Sequence, residues 1–82
     1  MTYRVEIWRQ WDLQEQERGR NRKFAELNNL YLRCERGDVQ MSVAISNELR
    51  TLVYQAYDPV ADAQIIAWWA DEFMTLPGWL DY

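Results

Sequence analysis

Eighty-two residues suffice for one domain, 1–82, with a modest core, and 49% hydrophobic against 27% charged marks a globular rather than a disordered chain. A net charge of −4 and a pI near 4.6 argue against unspecific attraction to nucleic acid or to an anionic membrane. With no histidine and a single Cys34, the usual general base, the commonest metal ligand, a structural zinc set and an internal disulfide are all missing.

Charge is divided unevenly along the chain. Residues 1–36 hold eight of the nine bases against six acids, a net +2, whereas residues 37–82 hold Arg50 alone against seven acids, a net −6. Eight of the nine bases are arginine, which favours shaped, hydrogen-bonded contacts over generic solubility. Five Trp, five Tyr and two Phe are many for this length. Each can bury roughly 150–250 Å², so the set can exceed what so small a core encloses, and any surplus would face a partner.

In chain order, Tyr3, Val5 and Ile7 alternate with Arg4, Glu6 and Trp8, which suggests an extended segment, β if a partner strand lies beside it. The helical alternative puts Tyr3, Ile7 and Trp11 on one face. Asp12-Leu13-Gln14-Glu15 fits a capping box and predicts a helix over about 13–36. Gly19 costs that helix about 1 kcal/mol against alanine, with a break and a restart near Asn21 as the alternative. At 100° per residue, Phe24, Leu27, Leu30, Tyr31 and Cys34 fall within about 120° of arc, a core face. The opposite face carries Arg18, Arg22, Asn29, Arg33 and Arg36. Gly37 closes the helix and Asp38 can cap the next.

Residues 39–57 fit two patterns. Val39, Met41, Val43 and Ile45 alternate as in a strand, but Met41, Ile45, Leu49, Leu52, Val53 and Ala56 share one helical face within about 120°, which explains more residues. A third helix is predicted over about 59–75, with Asp58 as its cap and Pro59 at its first position. It places Ile65, Ile66, Trp69, Phe73 and Leu76 on one stripe and leaves Trp68 off it, beside Gln64, Asp71 and Glu72. Pro77-Gly78 ends the helix, and Trp79-Leu80-Asp81-Tyr82 either folds back over the core or serves as a docking tail. The expected fold is mainly α, a small bundle of three principal helices with an extended N-terminal segment. The alternative is α+β, with residues 3–8 and 39–45 paired as strands.

Chemistry is sparse. Ser42 and Ser46 have no base in a recognisable motif, the three glycines are isolated, and the acids Asp58, Asp62, Asp71 and Glu72 are not spaced like a calcium loop. No helix-turn-helix, ribbon-helix-helix or zinc-binding pattern is present. The expectation is therefore a non-enzymatic protein without catalytic residues, cofactor or metal. It would occlude or scaffold a macromolecular partner, in the manner of phage or plasmid inhibitors of host nucleic-acid-handling machinery (anti-CRISPR or anti-restriction proteins).

The candidate contact residues are Trp68, Gln64, Asp71, Glu72, Trp79 and Tyr82, suited to a protein partner with a basic surface. Exposed charge stripes are ordinary, so the arginine face of Arg18, Arg22, Asn29, Arg33 and Arg36 reads first as solvated. Its functional alternative is a nucleic-acid contact. A small subunit of a larger assembly is a third reading, and self-association a further option. With no signal-like leader and no 18-residue apolar run, the expected setting is cytoplasmic and away from membranes.

Overall fold

In the computed structural model the backbone is described for residues 2–81, and side chains for residue 10 and residues 13–81. The chain forms three helices: α1 (Thr2–Glu35), α2 (Val43–Ala56) and α3 (Ala63–Met74), followed by a short 3₁₀ turn, Trp79–Asp81. The bundle is mainly α, as the periodicities require.

At 1.5 Å per residue the 34 residues of α1 run about 51 Å. α2 and α3, with 14 and 12 residues, are less than half as long, and among the described residues of α1 those in or against the core are Leu27, Leu30, Tyr31 and Cys34. The molecule is accordingly elongated, 56 × 23 × 17 Å. The reason lies in the spacing of apolar residues. Phe24, Leu27, Leu30, Tyr31 and Cys34 give α1 a buried or half-buried stripe, whereas residues 13–18 carry one apolar side chain, Leu13, and all are exposed. Gly19 does not break the helix, which passes through it without interruption.

The backbone of residues 3–8, where alternation suggested an extended segment, belongs to α1. The side chains there lie outside the described residues. Among the described residues there is no strand, so residues 39–45 do not pair as the α+β alternative required. Residues 39–42 form a connection instead. Met41 is buried and Val39 half-buried against the core, and that placement explains their alternation without a sheet.

Gly37, at φ +82°, closes α1. The N–H of Asp38 bonds the Arg33 carbonyl at 2.9 Å and the N–H of Gly37 bonds that of Cys34 at 3.2 Å, the paired bonds of a Schellman turn. The cap of α2 is Ser42 and not Asp38, because the Ser42 hydroxyl accepts the Ile45 N–H at 3.1 Å. From there Ile45, Leu49, Leu52, Val53 and Ala56 turn inward at helical spacing.

The third helix starts one turn later than Asp58-Pro59 suggested. The Asp58 carboxylate accepts the N–H groups of Val60 at 2.8 Å and Ala61 at 2.9 Å, so it caps a turn over residues 59–62. Asp62, at the N-cap of α3, folds back to accept the Asp58 N–H at 2.9 Å. After α3, Gly78 at φ +79° turns the tail back. A Cβ there would lie 3.1 Å from the Met41 Cβ, so the close approach of tail and connection favours glycine twice over.

Leu27, Leu49, Leu52, Val53, Trp69, Phe73, Leu76 and Trp79 centre the core. An aromatic row crosses it: Trp68 to Trp69 (centroids 5.0 Å), Trp69 to Phe73 (5.7 Å) and Phe73 to Trp79 (5.2 Å), with Tyr31 at 5.3 Å from Trp69. Offset and edge-on aromatic pairs of this kind contribute about 0.5–1.5 kcal/mol each beyond the area they bury.

Candidate functional site

The two ends of the aromatic row differ in exposure, and the predicted contact residues divide between them. Trp68 is 53% exposed while Trp69, the next residue, is 5% exposed. The rings meet edge-on at 78°, so the exposed indole stands on a buried one. Trp69 is fixed in turn, because its Nε1–H donates to the Tyr57 hydroxyl at 2.9 Å. Gln64 and Asp71, one helical turn to either side of Trp68, are exposed, and Ile65 is 43% exposed beside them. These four side chains form one face of α3.

Glu72 belongs partly to the fold. It is half-buried and its Oε2 accepts a hydrogen bond from the Tyr31 hydroxyl at 3.1 Å, tying α3 to α1. Burial pushes the Tyr31 phenol above its ordinary value, and the Glu72 carboxylate beside it pushes the same way, so this hydroxyl stays a donor at neutral pH. Trp79 lies inside, 8% exposed, with the Arg50 guanidinium 4.8 Å above its ring centroid. Of the two fates open to the tail, Trp79 takes the inward one. Tyr82 lies outside the described residues.

The arginine face holds together as a stripe. Arg18, Arg22, Asn29 and Arg33 are exposed on α1, on the side away from the core, and Arg36 is exposed in the turn that follows. Arg18 meets Glu15 at 3.3 Å and Arg36 meets Asp38 at 3.5 Å, both with well-exposed side chains. Such pairs contribute about 0–1 kcal/mol. Arg22 and Arg33 form no ion pair among the described residues.

An opening of about 420 Å³ lies between the α1–α2 connection and the tail, lined by Cys34, Gly37, Val39, Gln40, Met41, Pro77, Gly78 and Asp81. Burial raises the Cys34 pKa, which keeps the thiol protonated and unreactive. Asp81 is the other titratable group on its wall. Among the described residues no group of three His, Cys, Asp or Glu side chains could hold a metal ion, and no helix is long and apolar enough to cross a membrane.

Comparison with protein-family models, with curated proteins and with solved structures found no match, so function is read from the geometry of the chain itself. The sequence pattern missed three contacts: Tyr57 under Trp69, Tyr31 on Glu72, and Arg50 over Trp79. They join residues 12, 41 and 29 positions apart, and no local spacing signals them.

Proposed function

We propose that this chain is a non-enzymatic binding protein whose α3 face, centred on Trp68, docks on a basic surface of a protein partner. The observation that carries the reading is the 53% exposed Trp68 ring supported by buried Trp69. A large aromatic already held in position loses little freedom on binding, which is what an interface anchor needs. Asp71 beside it supplies a negative rim, and residues 37–82 carry a net −6, so an arginine-bearing surface complements it in both charge and cation–π attraction. Basic surfaces of that kind belong to machinery that grips nucleic acid. Occupying one would inhibit by occlusion, the mode of anti-CRISPR and anti-restriction proteins from phages and plasmids.

Capture from the native host with the wild-type chain and with Trp68→Ala, followed by mass spectrometry, tests the reading. A protein retained by the wild type and bound at least about 30-fold more weakly by Trp68→Ala, the equivalent of about 2 kcal/mol, supports it. Equal retention by both chains refutes it.

The exposed Arg22 and Arg33, without ion pairs among the described residues, favour a second reading, nucleic-acid contact along the stripe from Arg18 to Arg36, about 27 Å at 1.5 Å per residue. A mobility-shift assay separates the two. Submicromolar binding that weakens when both become alanine would put the α1 face first, whereas binding weaker than about 10⁻⁶–10⁻⁴ M keeps the α3 face there.

A further inference from the structure

The flank of α3 opposite Trp68 borders a groove against α2 of about 310 Å³, whose walls include Arg50, Tyr54, Ala70, Phe73, Met74 and Trp79. Its floor is apolar, formed by the buried rings of Phe73 and Trp79. Its rim is apolar and open, with Tyr54 62% and Met74 55% exposed. Arg50 breaks that character. It is the only base in residues 37–82, it is exposed, and it forms no ion pair among the described residues. Its guanidinium is stacked on Trp79 at 4.8 Å, so the charge is held at the groove wall instead of swinging in solvent.

We propose that this groove is a second docking site, one that takes a segment of a protein partner carrying a bulky apolar side chain next to a carboxylate. The apolar side chain would enter between Tyr54 and Met74, and the carboxylate would pair with Arg50 through two parallel N–H···O bonds. The net −6 of residues 37–82 opposes acidic ligands in general, so what the groove offers a carboxylate is direct contact with Arg50, which no carboxylate pairs among the described residues. Flexible Met and amphipathic Tyr at the rim suit a surface that closes on one inserted side chain. The site is independent of the Trp68 face. At 100° per residue, Ala70 and Met74 lie on the far side of the core stripe from Gln64, Trp68 and Asp71.

Selection of random twelve-residue peptides displayed on phage against the immobilised full chain, then titration of the enriched peptides, tests the proposal. The enriched sequences should place Asp or Glu beside Leu, Phe or Met. Changing that acid to its amide, or Arg50→Gln in the protein, should each weaken binding at least about tenfold, and the two changes together little further. Ala70→Trp, a substitution at an exposed wall position, should block the groove, and Trp68→Ala should leave binding unchanged. Failure to enrich any peptide, enrichment of basic peptides, or indifference to Arg50→Gln and Ala70→Trp would overturn the assignment. Loss of peptide binding in Trp68→Ala, or a dimer of the chain that dissociates on Arg50→Gln, would overturn it as well.

Discussion

Trp68 and Trp69 share a peptide bond and a helix, yet one holds the fold together and the other stands on its surface. A step of 100° decides between them. Trp69 turns into the bundle, where it meets Tyr31, Phe73 and the hydroxyl of Tyr57. Trp68 turns outward between Gln64 and Asp71. The difference shows how aromatics of one helix divide between the core and the surface. The inner ones, Trp69, Phe73 and Trp79, close the core. Trp68, packed edge-on against Trp69, is an exposed aromatic on the acidic half of the chain.

The contrast breaks most sharply under Trp69→Ala. Removing a 5% exposed indole at the centre of the aromatic row leaves a cavity and should destabilise by about 3–5 kcal/mol. Small domains have only about 5–15 kcal/mol in total, so this variant is expected to melt far below the wild type or not to fold, as thermal and urea denaturation will show. A subtler version removes only the hydrogen bond. Tyr57→Phe keeps the ring against Phe24, whose centroid is 4.7 Å away, but leaves the Trp69 Nε1–H without its acceptor. The expected loss is about 1–3 kcal/mol in urea denaturation.

A smaller effect concerns the turn that precedes α3. The N–H groups of Ala61 and Val60 hold the Asp58 pKa below the usual carboxylate value, because both bond the charged form. A depressed folded-state pKa means the contribution is present above the unfolded value of about 3.9 and is lost as pH falls through the lower folded value. Melts of the wild type and Asp58→Asn from pH 7 to pH 2 should therefore differ near neutrality and converge in acid. A gap that persists unchanged to pH 2 would show that the charge of Asp58 has no part in the turn.

Much of this arrangement was legible in the chain. The three apolar periodicities located the helices, and the 100° spacing separated Trp68 from Trp69. The boundaries were less legible, for physical reasons. Asp58-Pro59 does mark a backbone turn capped by a carboxylate, but Asp62 folds back onto that turn and delays α3 to Ala63. Val39 and Met41 are apolar because the tail and the core cover them, not because they lie on a helix or a strand. The inward fate of Trp79 depends on Gly78 meeting Met41, a contact between distant segments. Glu72 reads as a surface acid until Tyr31, 41 residues earlier, is found donating to it.

The central claim is that Trp69 holds the fold and that its neighbour Trp68 is dispensable to it. Thermal melts of Trp68→Ala beside Trp69→Ala test it most directly. Trp68→Ala should keep its stability within about 1 kcal/mol of the wild type, the usual range for a surface position, while Trp69→Ala loses several times that. A Trp68→Ala chain that unfolds as readily as Trp69→Ala, or a Trp69→Ala chain as stable as the wild type, would contradict the account.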